Sequence, residues 1–218
     1  MSKTIIIWFR QDLRREDNPA LHSAYEEGAK ILPVFIEDEE TPGDWSRGAA
    51  SKWWLHHSLK SLNDSLSDKL NLYSGKPQDI LPDLIKETGA DAIYWNRCYE
   101  PWRKERDKKI KKALEDDGVE VKSFKAGLIW EPWTISTKQD TPYKVFTAFY
   151  KNGCLAAGEP DRPLPAPDRL TYHDRLSSAL KLEELKLIPE KDWYKKIEKY
   201  WSVGEDHAQK ALRHFIKN

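Results

Sequence analysis

Five short runs of apolar or β-branched residues recur along the first 124 residues, and stretches with helical character separate them. The first run, residues 4–9 (TIIIWF), shows no alternation with polar residues, which is typical of a strand buried on both faces of a parallel sheet. The other four runs are residues 31–36, 70–74, 91–96 and 119–124. Strands that alternate with helices predict an α/β fold, a doubly wound five-stranded parallel sheet that ends near residue 130.

The intervening stretches carry helix start and stop signals. Asn18 followed by Pro19 predicts a capped helix start, and Gly28 predicts its end. Residues 48–67 form a long helix with one leucine stripe, and Pro77 opens another helix that ends before Gly89. The charged stretch 103–116 reads as a helix whose basic run is a solvated face.

The remainder of the chain has a different character. Residues 131–190 combine an aromatic segment with a linker that contains five prolines after residue 155. Residues 205–217 have the apolar spacing of a helix, but the sequence offers this helix no partner. We therefore expect three regions: an α/β domain at 1–130, an interdomain linker at 131–190, and the start of a truncated helical domain at 191–218.

Composition excludes several classes of function. The 36 basic and 36 acidic residues cancel, which removes the electrostatic case for a chain that wraps nucleic acid by itself. The apolar runs are too short for a membrane span or a secretory signal peptide. Two cysteines form neither a disulfide framework nor a four-ligand zinc site, so we expect a cytoplasmic protein.

A ligand site is expected where the strand order reverses. With the order 3-2-1-4-5, the loop after the first strand (residues 10–17) faces the loop after the fourth (residues 96–100) across one crevice. The sequence contains neither GxGxxG nor GxxxxGK[ST], so a pyrophosphate cradle of those types is not expected. Aromatic, arginine and carboxylate side chains suit a flat heteroaromatic ligand with polar edges. Arg10 and Arg14 either contact that ligand or pair with nearby aspartates.

Other candidate sites are weaker. His56 and His57 are consecutive on a helix and point about 100° apart, so they do not form a metal-binding pair. Cys98 lies in the crevice loop without an evident histidine partner, and a packing thiol is the favoured interpretation. We therefore expect no metal ion and no catalytic residue in this chain.

Several sequence blocks are familiar when they are taken together. They are WFRQDLRREDNPAL (8–21), GAASKWWLHHSLKSL (48–62), IYWNRCYEPWRKERD (93–107), WEPWTI (130–135), PYKVFTAFYK (142–151) and VGEDHAQKALRHF (203–215). In this order and spacing the chain resembles the N-terminal antenna domain of the DNA photolyase/cryptochrome family, most of all the cyclobutane pyrimidine dimer photolyases of bacteria.

The resemblance implies a Rossmann-like α/β domain, a long linker and then an all-helical domain that binds FAD beyond residue 218. It implies a photochemical lyase that is monomeric at full length. An antenna chromophore passes excitation to reduced FAD, which donates an electron to a pyrimidine dimer flipped out of damaged DNA. The fragment alone is then expected to be inactive. A cryptochrome light receptor, or a free-standing nucleotide-binding α/β protein, is the alternative.

The resemblance also bears on the antenna. Members that bind folate carry an Asn-Glu pair where Trp102 and Arg103 stand here, which disfavours folate. Members that bind 8-hydroxy-5-deazaflavin or FMN hold it in the α/β crevice. By position, the lining would come from Phe9, Arg10, Asp12, Phe35, Ile36, Asp38, Lys52, Trp53, Glu100 and Arg106. Alternatively the Trp53–Trp54 pair fills that space and leaves no antenna.

Overall fold

The computed structural model describes residues 2–218, and a parallel sheet forms its centre. Five strands lie in the order β3-β2-β1-β4-β5, and every neighbouring pair is parallel. The strands are β1 (Thr4–Phe9), β2 (Lys30–Glu37), β3 (Asn71–Ser74), β4 (Ala92–Asn96) and β5 (Glu120–Phe124). The predicted fold class and the predicted reversal of strand order between the first and fourth strands are confirmed.

Helices connect the strands and follow them. The four crossover helices are α1 (Pro19–Glu26), α2 (Ala49–Ser65), α3 (Pro77–Thr88) and α4 (Pro101–Asp116). Prolines occupy the first turn of α1, α3 and α4, where the missing N–H would have no helical acceptor. Gly89 ends α3 in the left-handed conformation with φ of 63°. Three further helices are α5 (Phe146–Ala148), α6 (Lys195–Glu198) and α7 (Glu205–Lys217), and a π-helical turn spans Phe149–Cys154.

The sheet separates two apolar cores. In β1, Ile5, Ile7 and Phe9 point towards α1 and α2, whereas Ile6 and Trp8 point towards α3 and α4. All five side chains are buried, because both faces of the sheet are covered by helices. The predicted leucine stripe of α2 packs into the first core. Its members are Leu55, Leu59, Leu62 and, just beyond the helix, Leu66.

A sixth strand comes from the proline-containing stretch. β6 (Thr171–Tyr172) pairs in parallel with Lys30 and Ile31 at the start of β2, while β3 pairs with the later residues of β2. Leu180 donates a backbone hydrogen bond to Leu72 at 2.8 Å, and Leu185 and Leu187 are buried in the first core. Leu176 and Ala179 pack against the second core, so residues 171–187 cover the edge of the sheet and contact both cores.

A polar cluster covers the amino-terminal end of β1, β4 and β5. Lys3 lies 2.8 Å from Glu27 and 2.6 Å from Glu120, and Lys122 lies 2.9 Å from each of the same two carboxylates. The buried ring of Tyr94 extends its hydroxyl into the cluster and donates to Glu27 at 2.7 Å. Burial by itself would raise the pKa of Glu27. Hydrogen bonds from Lys3, Lys122 and Tyr94 outweigh that effect and lower the pKa to about 2.

The later part of the chain leaves many aromatic and aliphatic side chains exposed. They include Trp133, Phe146, Tyr150, Trp201, Leu212, Phe215 and Ile216. Across residues 2–218, the structure contains no helix with the length and apolar character needed to cross a membrane.

Candidate functional site

The two loops that were expected to face each other lie across the carboxyl ends of β1 and β4. Gln11, in the loop after β1, donates a hydrogen bond of 3.1 Å to Glu100, in the loop after β4. Asn96, the last residue of β4, donates to the carboxylate of Asp12. The crevice at the reversal point of the sheet is thus present, and polar contacts span it.

Alternating arginine and indole side chains form the crevice wall. Trp8 and Trp95 pack edge to face with ring centroids 5.6 Å apart. The guanidinium of Arg10 lies 4.8 Å from the Trp8 ring centroid, and that of Arg106 lies 5.0 Å from the same ring. Trp102 also contacts Arg106, with 5.2 Å between the guanidinium carbon and the Trp102 ring centroid. These cation–π contacts fix the planes of both arginines.

Buried ion pairs complete the wall. Arg10 pairs with Asp107, and Arg106 pairs with Asp38 at 3.1 Å and with Asp107 at 2.8 Å. Arg106 and Asp38 are both more than nine-tenths buried, so removal of Arg106 would leave the desolvated carboxylate of Asp38 without its ion-pair partner. These pairs tie the loop after β2 and helix α4 to the end of β1.

Glu37 is the last residue of β2 and directly precedes the wall residue Asp38. Its carboxylate accepts two hydrogen bonds from Arg47, at 2.7 and 2.8 Å, so the loop that follows β2 folds back onto its own strand. Burial raises the pKa of Glu37, and the charge of Arg47 opposes that shift.

Little space remains inside this wall. The cavity among Trp8, Arg10, Asp38, Trp102 and Arg106 has a volume of about 20 Å³, which holds about one water molecule. Within residues 2–218, the Nε and Nη2 atoms of Arg10 and the Nε1 atom of Trp8 are buried without a hydrogen-bond partner. These N–H groups are donors that a water molecule or a small polar group would satisfy.

A much larger space lies beside the crevice. A groove of about 1030 Å³ runs between the loop after β1, helix α2 and helix α7. Its walls include Arg10, Arg14, Arg47, Trp54 and Trp201. Trp54 and Trp201 meet edge to face with centroids 5.4 Å apart, so indole surface and arginine charge face the same groove.

Buried asparagines hold the loop after β1. Asn96 donates to Asp12 and, at 2.7 Å, to Asn18, and its carbonyl accepts from the backbone N–H of Ala20 at 3.0 Å. Asn18 caps α1 through the N–H of Leu21 and donates to the carbonyl of Arg14 at 2.9 Å. The loop is therefore braced from strand and helix together.

The crevice brings together half of the predicted lining residues. The members that line the small cavity are Arg10, Phe35, Ile36, Asp38 and Arg106. Asp12 lies next to them and accepts from the N–H of Arg10 at 2.9 Å.

The remaining predicted residues lie elsewhere. Phe9 is fully buried in the core on the α1 and α2 side of the sheet, and Lys52 pairs with Glu39. Trp53 packs against His57, with centroids 4.7 Å apart, and away from the crevice cavity. Glu100 stands at the rim, at the residue before α4, where its carboxylate accepts from Gln11 and makes no capping hydrogen bond to the helix. The Trp53–Trp54 pair therefore does not fill the crevice.

Several wall residues were missed by sequence reasoning. These are Trp8, Arg47, Trp95, Trp102, Arg103 and Asp107. A signal for some of them was present in α4, where Arg103, Arg106, Ile110 and Leu114 follow helical spacing and are all buried. The prediction that the basic run of α4 is a solvated face holds for its lysines, but not for Arg103 and Arg106.

Cys98 and the segment after β5 occupy the far side of the β4 loop. Burial raises the pKa of Cys98, so its side chain is a neutral thiol at pH 7. Glu131 accepts from Arg97 at 2.6 Å and from Tyr99 at 2.8 Å, which fastens the WEPW segment to the loop. Burial and the hydrogen bond to Glu131 raise the pKa of Tyr99 to about 12.

In the described part of the chain, no three His, Cys, Asp or Glu side chains are grouped to hold a metal ion.

Known proteins resemble this chain over its whole length. The family model described as DNA photolyase matches residues 5–168. A deoxyribodipyrimidine photo-lyase of Agrobacterium fabrum is 43% identical over 97% of this chain and 44% of its own length. Cryptochrome-2 of Arabidopsis thaliana is 36% identical over 100% of this chain and 37% of its own length.

Solved structures agree. The crystal structure of a class III photolyase from Agrobacterium tumefaciens matches with a TM-score of 0.90 and 39% identity, over 100% of this chain and 45% of that one. An archaeal photolyase from Sulfolobus tokodaii, solved with two FAD molecules, matches with a TM-score of 0.68 and 26% identity, over 85% of this chain and 42% of its own. The chain spans less than half the length of these relatives. With most of its residues inside the family model and its fold shared throughout, the chain belongs to the DNA photolyase family.

Proposed function

We propose that this chain is the N-terminal light-harvesting domain of a deoxyribodipyrimidine photolyase. The observation that carries the proposal is the match of the entire chain, from β1 to α7, to 45% of a bacterial class III photolyase with a TM-score of 0.90. In the proposed full-length enzyme, reduced FAD bound by the sequence after this chain donates an electron to a pyrimidine dimer in damaged DNA under blue light. The proposed enzyme is a monomer in a reducing cytoplasm, which agrees with the two free cysteines.

The crevice does not fit a flavin-like antenna with its present side chains. Small-molecule sites usually have volumes of roughly 300–1,000 Å³, whereas the crevice cavity measures about 20 Å³. Entry of 8-hydroxy-5-deazaflavin or FMN would require Trp102 and the Arg106–Asp38 pair to separate by about the thickness of a ring, ~3.5 Å. Breaking that buried pair costs several kcal/mol, on the order of 3–5.

The groove beside α7 has the volume that the crevice lacks. Its indoles offer stacking surface, and Arg14, which is partly exposed and bonds mainly backbone carbonyls, offers charge for the polar edge of a heteroaromatic ring. We therefore place the proposed antenna chromophore, a deazaflavin or FMN in preference to a folate, against Trp54 in the groove. A chromophore bound there would supply light absorption, while the chain supplies stacking, orientation and partial exclusion of water.

Titration with FMN separates the two places. Trp54 lines the groove and not the crevice, whereas Trp102 lines the crevice and not the groove, so Trp54→Ala and Trp102→Ala form a matched pair. We expect FMN fluorescence to be quenched by the unaltered chain and by Trp102→Ala, and quenching to be lost in Trp54→Ala. If quenching were instead lost in Trp102→Ala and kept in Trp54→Ala, the result would indicate that the chromophore binds in an opened crevice. Arg10→Ala should then weaken binding. Absence of quenching in all variants would contradict a flavin-type antenna.

A repair assay tests the proposed activity. The full-length protein, loaded with reduced FAD, should restore intact pyrimidines in DNA that contains cyclobutane dimers under blue light and not in the dark. Residues 1–218 alone serve as the control and should show no repair.

The second candidate is the corresponding domain of a cryptochrome light receptor. Plant cryptochromes favour it, because they match essentially the whole chain at 34–36% identity. A full-length protein that holds FAD but repairs no dimer in either light or dark would replace the first proposal with this one.

A further inference from the structure

The loop after β1 has a second face, which points away from the crevice and contacts helix α7. The two carboxylate oxygens of Glu205 accept from consecutive backbone N–H groups, those of Arg15 and Glu16, each at 2.8 Å. One side chain at the first turn of α7 thus accepts hydrogen bonds from two neighbouring amides of a loop that lies 189 residues earlier in the chain. Hydrogen bonds to an ionised acceptor are the stronger kind.

The surroundings of Glu205 join four segments. Gln209, one turn further along α7, donates to the carboxylate of Glu16. The guanidinium of Arg15 donates to the carbonyl of Ser65 at the end of α2, at 3.2 Å, and to the carbonyl of Pro167 in the linker. Arg15, which Glu205 contacts directly, therefore connects the loop after β1 and α7 to the end of α2 and to the linker.

Helix α7 has few other attachments. Among the described residues of α7, none is buried, and only Glu205 and Gln209 are even half-buried. Its apolar residues Leu212, Phe215 and Ile216 are 58–80% exposed. A helix of 13 residues is marginal by itself in water, because nucleation is unfavourable and few residues propagate it. Its position consequently depends on the contacts of its first turn.

The loop after β1 is a fixed support against which α7 is positioned. Asp12, Arg14 and Arg15 lie on one short loop, and Asn18 and Asn96 hold its backbone and side chains from below. Glu205 and Gln209 also line the groove between the loop and α7. Movement of α7 would therefore change the width of the groove while the crevice wall stays fixed.

We propose that Glu205 is a positioning residue, a carboxylate latch that fixes α7 to the loop after β1 and so sets the width of the groove and the direction of α7. The consequence for light harvesting rests on the proposed function, because excitation transfer depends on the distance and orientation between two chromophores. The latch itself needs neither chromophore nor DNA, and it is tested without them.

The chain offers a matched control for the latch. Asp206 is the next residue in the same first turn and gains the same interaction with the helix dipole, but within residues 2–218 it forms no hydrogen bond or ion pair. Glu205→Gln and Asp206→Asn remove the same charge from the same helix end. Only the first replaces two charge-assisted acceptors by one neutral amide oxygen.

Hydrogen exchange on the 218-residue chain tests whether Glu205 fixes α7 to the loop after β1. In Glu205→Gln we expect protection of the α7 amides, and of the Arg15 and Glu16 amides, to fall by about tenfold or more, the size of one lost charged hydrogen bond. Protection of β1 serves as the internal reference and should remain. Asp206→Asn should leave α7 within about twofold of the unaltered chain.

A second variant and a spectroscopic signature complete the test. Gln209→Ala removes the neighbouring bond to Glu16 and should lower α7 protection by a smaller factor, even if Glu205→Gln perturbs the sheet. The amide protons of Arg15 and Glu16 should move upfield in the NMR spectrum of Glu205→Gln and stay in place in Asp206→Asn. Equal effects in the two matched variants, or unchanged protection in both Glu205→Gln and Gln209→Ala, would overturn the latch. Failure of the repair assay would leave these results intact.

Discussion

Replacement of Asn96 tests the network that holds the site together. The side chain of Asn96 is 3% exposed and makes three hydrogen bonds, to Asp12, Asn18 and the N–H of Ala20. The Ala20 N–H lies in the first turn of α1 and has no helical acceptor, so Asn96→Ala leaves it buried and unpaired. Asp12 and Asn18 retain other partners, and the expected cost is about 3 kcal/mol.

Asn96→Asp is the sharper variant because it preserves the shape of the side chain. The acceptor for Ala20 remains, but a carboxylate oxygen now faces the carboxylate of Asp12 and the side-chain oxygen of Asn18. We expect a loss of about 4 kcal/mol at pH 7, since a buried like-charge contact replaces two hydrogen bonds. The pKa of the new carboxyl is expected to be raised in the folded state. Its penalty is therefore present above that folded pKa and shrinks as pH falls towards the unfolded value of about 4.

Urea unfolding followed by tryptophan fluorescence measures both variants. With a slope of about 2–3 kcal/mol per molar urea, losses of 3–4 kcal/mol lower the midpoint by roughly 1–2 M. The exposed Asn152→Ala is the control and should stay within about 0.5 kcal/mol. If Asn96→Asp were as stable as the unaltered chain at pH 7, or lost its deficit on going to higher pH, the assigned direction of the amide and the reasoning from it would be refuted.

Two further predictions concern stability at the ends of the sheet and of α7. Hydrogen bonds from Lys122 and Lys3 lower the pKa of Glu120 from 4.5 to about 2, so its stabilisation is present above pH 4.5 and is lost as pH falls towards 2. Because the side chain is 41% exposed, we expect Glu120→Gln to remove only about 1 kcal/mol at pH 7, and to flatten the acid side of the stability curve in urea titrations. Gly204→Ala should cost about 1–2 kcal/mol and reduce helical circular dichroism, because Gly204 has φ of 112° and a Cβ would overlap Ser61. The matched Gly127→Ala, where the described residues leave open space, should change little.

Local sequence patterns were sufficient for the five main strands and the helices between them. The continuous apolar run of β1 needs burial on both faces, and the parallel sheet with helices on each side is the arrangement that supplies it. The leucine stripe of α2 and the Pro and Gly signals of α3 are equally local. Strand β6 has only two residues, and its partner in β2 lies about 140 residues earlier, so no local period reveals it.

The sequence predicted which two loops meet at the crevice, but not which side chains occupy it. Strand order alone put the loop after β1 opposite the loop after β4, and the Gln11–Glu100 contact confirms this. Which side chains occupy the space depends on rotamers and on ion pairs across distant elements. Arg106 illustrates the difficulty, because Lys104 and Lys108, two residues away on either side, are solvated, while the charge of Arg106 is neutralised by Asp38 from another loop.

The charged loop after β1 is best understood as a junction with two separate duties. In its first half, Arg10 is neutralised by Asp107, and Asp12 accepts a hydrogen bond from the amide of Asn96 inside the domain. Its second half presents backbone N–H groups to Glu205 of α7. A ligand that entered the crevice would have to replace buried ion pairs, whereas a ligand in the groove would meet the exposed indoles of Trp54 and Trp201 and the partly exposed guanidinium of Arg14. The energetic difference between these two routes, several kcal/mol of desolvated charge, supports the proposed placement of a ligand on the outer face of the loop and a supporting role for its inner face.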